Sequence, residues 1–595
     1  MKRKIFTVVL LLLVSLAAFI AVSQVKSRAF APAADFPRAA LVYVETEDLP
    51  ALIRLWNESK FKEKYLASDN FRDFKNRHLG LKLVARWAEF NAATGFPLDL
   101  EAVSGLAQNK AAIALYDIGR LEFVFIAPIS EEAFAASRFV RNQTNFEAET
   151  LPDGTIVYRK AVEADRGRQK QELIFTGAKG RFVLATSEKL LAQTLNNIDG
   201  KAAAAKNRLI DEPSFQALLS RDGDGKNEAR GSRSATASVW VNQAALNKDY
   251  YFNRYWLMSD VESLENIRAG SFVFSTEEGK LIERRKFLPN QPQPNPAIIK
   301  SGESLAHLPE NATFYRLRAA NNRTIDGAVR ETIFDGRRAA PGDESDSRYY
   351  PSDDGDYHEY SSVDYDRLND NFDETIDETG EEETATETSA ATADFSKFLQ
   401  TAEPQSVLTF TEPRLLPAPL FAEFRRAAIF NLASPGGFNR ASFETAIEKN
   451  LAARVLISAP DVRLKWETKN ENGLARRELR LPMLGWEITY ATRGTNLILT
   501  NSADFLREIA ATENPPAGEN PDSRGLTELT VLNLSRKDEA YSRIFAELAK
   551  KNAADNFFTG NVRSLLDSIS EAGKIEIKKY HRRGFPEEEI TLSLK

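Results

Sequence analysis

The feature of this 595-residue sequence that most constrains its fold is a set of landmarks that occurs twice in the same order. A proline opens a strand-like run at residues 36–43 and again at residues 308–315, with alanine and tyrosine at matching places. The further pairs are residues 181–187 with 496–502, residues 237–242 with 529–534, and Ala269-Gly270 with Ala572-Gly573. Self-similarity along a chain indicates that one structural unit has been copied. The sequence therefore predicts an internal duplication, with one unit in residues 32–295 and the other in residues 303–595.

Each predicted unit mixes hairpin-like strand pairs with helices. This mixture predicts an α+β fold: two similar lobes, each a mainly antiparallel sheet with helices packed on one face. The first helix illustrates the local signals, since Asp48 can cap it and Pro50 falls in its first turn. Its spacing places Leu52, Leu55 and Trp56 on one face, which we expect to be buried.

The N-terminus has the composition of an export signal. Three basic residues, Lys2, Arg3 and Lys4, precede an uncharged run over residues 5–23. As a helix this run would be roughly 28 Å long, close to the thickness of the hydrocarbon layer, so we favour a retained anchor. Removal before Gln24 is the alternative, because Ala21 and Ser23 suit a signal peptidase. We therefore expect the body to lie in the cell envelope outside the cytoplasmic membrane. It would be anchored to that membrane by this helix, or be periplasmic or secreted if cleaved.

Composition and charge exclude several classes of function. The chain has no cysteine, so it can form neither disulfides nor a thiolate metal site. Between residues 343 and 394 nineteen acidic residues stand against two basic ones, a local net charge of −17. Because the whole chain carries −7, the remainder carries +10. The body outside the acidic segment is near neutral to slightly basic, which argues against a nucleic-acid binder.

These patterns divide the chain into five parts. Closely spaced prolines between Asn290 and Pro296 indicate a linker between the two units. The acidic segment lacks the apolar residues needed to offset its ordering entropy and is predicted to be disordered. The predicted parts are a signal peptide or anchor (1–31), a first α+β repeat (32–295), a linker with the opening strand and helix of the second repeat (296–336), a disordered acidic insertion (337–394), and the rest of the second repeat (395–595).

Several of these landmarks together resemble a known family. They are the Pro-x-x-Ala-x-x-Tyr strand followed by Asp48-Leu49-Pro50, the run over residues 182–187, and the segment 211–215 before another strand. In these features the chain resembles a family of exported bacterial proteins known only as a domain of unknown function. The resemblance covers most of the chain after the leader. Its motifs are packing motifs, so it implies no catalytic residue, and the acidic insertion departs from the family pattern.

No motif predicts a catalytic, metal or cofactor site. The four histidines, His78, His307, His358 and His581, are far apart and lack metal-ligand spacing. The sequence has no Gly-x-Ser-x-Gly elbow and no glycine-rich phosphate loop. The run over residues 222–228 resembles a calcium loop only partly, because Lys226 places a cation at a ligand position. Paired carboxylates for glycoside hydrolysis are too common among 85 acids to be specific.

One group of residues is a candidate binding site. Basic residues occur in the last predicted hairpin of both units: Arg284, Arg285 and Lys286 in the first, and Arg582 and Arg583 in the second. Alternation along a strand would place part of each group on one sheet face. These residues form a candidate docking site for a polyanion, or else a solvated edge that charge protects from pairing.

The sequence thus favours a non-enzymatic, exported envelope protein that binds or scaffolds a partner, which would be an envelope protein or a polyanion. Two alternatives stay open: a hydrolase of envelope glycan or peptide with its site between the lobes, and a carrier of an apolar ligand. A hydrolase requires convergent acids or a histidine in a polar cleft, and a carrier requires a large apolar cavity.

Overall fold

The computed structural model describes residues 32–594 apart from residues 77, 108, 163–170, 201–206, 220–236, 250–251, 253–263, 278, 292–293, 310–311, 335–394, 416–421, 456–463, 472, 482–485, 513–524, 535–571 and 583. The predicted leader (1–31) and the whole of the predicted acidic insertion (337–394) lie outside the described residues. The described part is an α+β fold built on a large antiparallel sheet, which confirms the predicted class.

In the first half (residues 32–295) the strands are β1 (Val42–Thr46), β2 (Ala111–Asp117), β3 (Glu122–Pro128), β4 (Glu147–Thr150), β5 (Ile156–Val162), β6 (Gln171–Ala178), β7 (Arg181–Ala185), β8 (Ala237–Val241), β9 (Ile267–Glu277) and β10 (Lys280–Pro289). The helices of this half are α1 (Leu49–Glu58), α2 (Lys60–Leu66), α3 (Asp69–Asn76), α4 (His78–Thr94), α5 (Leu100–Ser104), α6 (Glu131–Ala136), α7 (Arg138–Arg141), α8 (Glu188–Ile198), α9 (Pro213–Leu219) and α10 (Gln243–Leu246).

In the second half (residues 303–595) the strands are β11 (Phe314–Ala319), β12 (Pro404–Leu415), β13 (Ala422–Leu432), β14 (Trp466–Glu471), β15 (Leu474–Leu481), β16 (Trp486–Arg493), β17 (Asn496–Thr500), β18 (Leu526–Asn533), β19 (Ala572–Arg582) and β20 (Phe585–Leu594). Its helices are α11 (Asn322–Ile333), α12 (Ser396–Leu399), α13 (Arg440–Val455) and α14 (Ala503–Ala511). Short 3-10 turns lie at Pro32–Ala34, Gln143–Asn145, Leu209–Asp211, Glu303–His307, Gln400–Ala402 and Pro435–Gly437.

The order of the strands is the same in both halves. Hydrogen bonding gives β4-β5-β6-β7-β3-β2-β1-β8-β9-β10 in the first half. The second half runs β14-β15-β16-β17-β13-β12-β11-β18-β19-β20. Each strand of the second half therefore occupies the place of the strand ten numbers earlier, and every pairing is antiparallel.

The two ten-stranded arrays are continuous with each other. The last strand of the first half, β10, pairs antiparallel with the last strand of the chain, β20, from Lys280 opposite Ser593 to Lys286 opposite Glu587. Among the described strands this pairing joins the two arrays into a single 20-stranded sheet, with β4 and β14 as its two edge strands. The ends are thus equivalent strands of the two halves.

Paired landmarks of the sequence occupy equivalent positions in the sheet. Tyr43 and Tyr315 are each the second residue of their strand, β1 and β11. Two predicted matches are displaced, however. Trp240 lies opposite Tyr43, whereas Val531, not Leu532, lies opposite Tyr315. The sequence correspondence of β8 with β18 is therefore wrong by one residue.

The match of Ala269-Gly270 with Ala572-Gly573 is wrong by two residues. Val241 lies opposite Gly270, whereas its counterpart Leu532 lies opposite Ile575 and not Gly573.

Helices cover both faces of the sheet, so the prediction of helices on one face is wrong. In β3, Val124 and Ile126 contact a core that includes residues of α8 and α9. The alternate residues Phe125 and Ala127 belong to a second core with residues of α4 and α7. The second half is alike, with α11 and α13 in one core and α14 in the other. The central antiparallel strands are hydrophobic on both faces because helices pack against each face of the sheet.

Capping confirms the predicted start of the first helix. The Asp48 side chain accepts a hydrogen bond of 2.8 Å from the backbone N–H of Ala51. The buried residues of α1 are Ala51, Ile53 and Trp56, so Ile53 is buried where Leu52 and Leu55 were expected. No helix among the described residues is long and apolar enough to cross a membrane.

Candidate functional site

The predicted basic residues lie at the joint between the two halves. Arg284, Arg285 and Lys286 are consecutive residues of β10, and Arg582 ends β19. Arg583 lies outside the described residues. Directly opposite the three β10 cations, β20 carries the acidic residues Glu589, Glu588 and Glu587. The two strands thus place three pairs of opposite charges in register.

Each described cation of the candidate set has an acidic partner. Arg284 Nε lies 3.0 Å from Glu589 Oε2, and Arg285 Nη1 lies 3.5 Å from Glu588 Oε2. Glu587 is shared, since its carboxylate lies 3.5 Å from Lys286 Nζ and 4.0 Å from Arg582 Nη1. The Arg582 guanidinium also stacks 3.8 Å from the centre of the Tyr580 ring.

Arg285 is the buried member of this group. Its side chain is 14% exposed and forms a two-point contact with Glu283, with Nε 2.6 Å from Oε1 and Nη2 3.0 Å from Oε2. Burial raises the pKa of the Glu283 carboxyl above its usual value, although the hydrogen bond and charge of Arg285 act against this rise. The guanidinium also lies 5.9 Å from the centre of the Phe272 ring on β9. Arg285 therefore ties together β9, β10 and β20.

The alternation of charge extends through the second half as a row that we name the charge ladder: Arg318 (β11), Glu528 (β18), Lys579 (β19), Glu588 (β20) and Arg285 (β10). Each of these residues lies directly opposite the next in strand register. Lys579 Nζ lies 3.2 Å from Glu528 Oε1. Opposite charges at directly opposed positions stabilise a sheet, whereas like charges there destabilise it. The charge ladder can therefore select the register in which the two halves join.

A second polar cluster surrounds His307, one of the histidines noted in the sequence. His307 Nε2 lies 3.1 Å from Asn496 Nδ2, and Asn431 Nδ2 donates to Asn496 Oδ1 at 3.1 Å. Asn431 Nδ2 also lies 3.3 Å from Glu303 Oε2, which accepts a hydrogen bond of 3.1 Å from Thr495 Oγ1. His307, Asn431 and Asn496 are all buried.

The equivalent place in the first half holds an ion pair. Asp35 precedes Phe36-Pro37 as His307 precedes Leu308-Pro309, and Arg181 begins β7 as Asn496 begins β17. Arg181 Nε lies 2.7 Å from Asp35 Oδ2. Burial raises the pKa of Asp35, and the Arg181 guanidinium partly offsets this effect. One position thus holds Asp–Arg in one half and His–Asn in the other.

A cavity of 530 Å³ lies within the first half, among α6, the β4–β5 turn and the β6–β7 turn. Its lining includes Asp153, Lys179 and Asp199, and Lys179 forms an ion pair with Asp199. Hydrogen bonds from Thr155 lower the pKa of the Asp153 carboxyl. In the described part of the chain no group of three or more acidic or histidine side chains is arranged to hold a metal ion.

Sequence reasoning found the basic residues but missed their partners. The signal was present as the run Glu587-Glu588-Glu589, which is complementary to Arg284-Arg285-Lys286 when read antiparallel. The remaining histidines do not meet at a site: His581 lies in β19, His78 begins α4, and His358 lies outside the described residues.

Comparison with known proteins adds little. No protein-family model matches the chain, and no curated protein sequence matches it. Among solved structures the chain is similar to two crystal forms of TP0453, at 10% and 11% identity over 45% of this chain. These matches span 84% and 82% of TP0453 with a TM-score of 0.23, too low to support an argument about fold or function.

Proposed function

We propose that this chain is a non-enzymatic protein of the bacterial cell envelope, in which two copies of one α+β unit form a scaffold that binds envelope partners. The observation that carries the proposal is the recurrence of one ten-strand order in two halves that join through β10 and β20. At a strand spacing near 4.8 Å, twenty strands give a path of roughly 90 Å in the hydrogen-bonding direction. Such a surface suits a platform for macromolecules.

The proposed duplication is supported at the level of single residues. Ser187 and Ser502 follow the equivalent strands β7 and β17, and each accepts a hydrogen bond from the third residue of the next helix. The Asp35–Arg181 and His307–Asn496 pairs occupy one equivalent position. Two unrelated lobes would have no physical reason to share strand order, helix caps and a buried polar position.

The scaffold role is supported by the joint. The carboxylates of Glu587, Glu588 and Glu589 lie within 4.0 Å of four of the five candidate cations. Ion pairs of this kind between β10 and β20 help to fix the placement of one half relative to the other. Docking of a polyanion on Arg284, Arg285, Lys286, Arg582 and Arg583 would require these pairs to exchange partners, so we rank it second.

Location is tested first, with the full chain. A reporter that is active only outside the cytoplasm, fused after Lys595, should be active, and replacing Leu11, Leu12 and Leu13 with aspartate should abolish its activity. A fusion that is active only inside the cytoplasm would overturn the envelope proposal. N-terminal sequencing distinguishes a retained anchor from a chain that begins at Gln24.

The scaffold role is tested by proximity labelling from the same C-terminus. Wild-type protein should label a discrete set of envelope proteins, and Arg285→Ala, which disrupts the joint, should lose part of that set. Ile156→Ala, at an exposed residue of β5 far along the sheet order, is the matched control. Turnover of envelope glycan or peptide by the purified protein would contradict the proposal and favour the hydrolase.

A further inference from the structure

The outward face of α4 is apolar along two turns. Leu81, Val84 and Trp87 are 56%, 51% and 45% exposed, and Ala85 and Ala88 are also exposed. The one described cation in this stretch, Arg86, is instead 5% exposed and lies 2.6 Å from Glu89. A surface helix ordinarily presents its charged side chains to water and its apolar stripe to the core. In this stretch the described exposed side chains are instead apolar, so α4 leaves an apolar surface open to a partner.

The helices around this face are rich in positive charge. Residues 60–87 contain eight lysines and arginines against three acidic residues. Packing runs from α2 to α3 to α4, and Lys60, Arg72 and Lys75 on the first two of these helices are exposed. Leu66, at the end of α2, adds a further side chain that is 43% exposed. Exposed apolar residues with a tryptophan, set among basic residues, are the composition of a segment that lies in a membrane interface.

We propose that the outward face of α4, with Leu66 and the basic residues of α2 and α3, docks on the surface of an anionic lipid bilayer. Leu81, Val84 and Trp87 enter the boundary between headgroups and acyl chains, and the cations contact the headgroups. The docking does not depend on the scaffold role or on retention of the leader.

The length of the chain places a membrane within reach if the leader is retained. The apolar run ends at Ser23 and the described body begins at Pro32, and nine residues span at most about 30 Å. Charge argues against a second copy of the chain as the partner. Two copies that met through this face would bring together two segments that each carry five net positive charges, which repel.

The absence of cysteine makes a local probe possible. Val84→Cys carries a fluorophore whose emission shifts to shorter wavelength in an apolar environment, and Phe424→Cys, at a residue of β13 that is 42% exposed, is the matched control. The full chain is reconstituted in vesicles of phosphatidylcholine with or without 30 mol% phosphatidylglycerol. The label at residue 84 should shift with phosphatidylglycerol, and the label at residue 424 should not.

Substitution then tests which side chains carry the contact. With the label at residue 84, Trp87→Gln should lower the ratio of docked to undocked label about tenfold, since a buried large apolar side chain contributes roughly that much to binding. Ile156→Gln, at an exposed residue of β5, should not change it. Equal melting temperatures show that both variants fold.

Three results would overturn the proposal: equal emission from the two labels in both lipids, no effect of Trp87→Gln, or a shift at residue 84 that follows protein concentration and not lipid. The last would identify a second copy as the partner.

Discussion

At the scale of single residues, Glu444 offers a test by pH. This residue of α13 receives two hydrogen bonds from Arg477 of β15, at 2.7 and 2.8 Å, and another from the Tyr490 hydroxyl. Burial acts to raise the pKa of Glu444, but the hydrogen bonds from Arg477 and Tyr490 outweigh it and lower the pKa below 4.5. A depressed pKa means that ionised Glu444 stabilises the fold above pH 4.5, and that this contribution is lost as the pH falls through the folded-state value.

Glu444→Gln should therefore lower the free energy of unfolding by about 2 kcal/mol at pH 7, since hydrogen bonds to a charged group are the stronger kind. The difference from wild type should shrink as the pH falls below 4.5. Urea unfolding at pH 7 and at progressively lower pH measures both, with Glu147→Gln on exposed β4 as the control. A difference that grows in acid would contradict the assignment.

The pair Asp35–Arg181 offers a second test, by a double-mutant cycle. Arg181→Asn leaves the buried Asp35 without its cation and should cost about 2–3 kcal/mol of stability. Adding Asp35→His reproduces the His–Asn pair of the second half and should recover at least about 1 kcal/mol, because neighbouring residues couple. Urea unfolding measures the free energy of unfolding of each variant. If the losses of the two single substitutions simply add in the double variant, the Asp35–Arg181 and His307–Asn496 positions are not equivalent.

Residue-scale prediction from sequence succeeded where the signal was local. Asp48 was identified as a cap because a cap and its helix are adjacent in the chain. Glu588 was missed because its partner Arg285 lies 303 residues away, and only the register of β10 on β20 brings the two together. Ion pairs between distant strands depend on a register that single-sequence patterns do not contain.

At the scale of elements, the serine caps of α8 and α14 should contribute equally to the free energy of unfolding. Ser187 Oγ accepts from Leu190 N at 3.3 Å, and Ser502 Oγ accepts from Phe505 N at 3.4 Å. Ser187→Ala and Ser502→Ala should each cost about 1 kcal/mol, and Ser→Asp at either place should restore most of it, because aspartate caps equally well. Thermal unfolding of the four variants provides the measurement. A large cost at only one position would show that the two helices differ in role.

Elements were easier to predict than their packing. The β7–α8 and β17–α14 units were recognised because a buried strand, a serine and an acidic first turn follow in sequence. The sheet faces on which the helices pack were not predicted correctly. An apolar run such as Phe182–Leu184 occurs both in strands covered by helices on one face and in strands covered on two, so it does not distinguish them. The one-residue error at Trp240 and Val531 arose for a related reason: β-branched and aromatic residues alternate too weakly there to fix a register.

At the scale of the whole molecule, the acidic insertion should be dispensable for folding. Phe334 and Phe395, the described residues on either side of it, belong to one hydrophobic core. The N–H of Ser396 donates to Asp326 Oδ1 at 3.0 Å, which holds the two sides together. Deleting residues 343–394 should leave stability unchanged or raise it by up to about 2 kcal/mol, because a shorter loop costs less entropy to close.

Limited proteolysis and thermal unfolding check this expectation. A broad-specificity protease should cleave first within residues 343–394 and leave both halves intact. Unfolding of the second half on deletion would contradict the prediction of a disordered insertion. The net charge of −17 on residues 343–394 also predicts that this segment masks basic surface of the body, so the deletion should increase binding to anionic vesicles at low salt. Equal binding by the full chain and the deletion variant would refute the masking but not the prediction of disorder.

The central claim is that two equivalent ten-stranded halves join through β10 and β20 in a register selected by charge. Lys286 and Glu587 are directly opposite, where Cα atoms of antiparallel strands are about 4.5–5.5 Å apart, within the range of a disulfide. In this cysteine-free chain, Lys286→Cys with Glu587→Cys should form an intramolecular disulfide on mild oxidation, detected by gel mobility and peptide mass. Lys286→Cys with Glu589→Cys also removes one lysine and one glutamate, but its two cysteines are displaced by two residues along the strands. This variant should not form the disulfide. A disulfide that forms in the displaced pair, in neither pair, or only between chains would contradict the account.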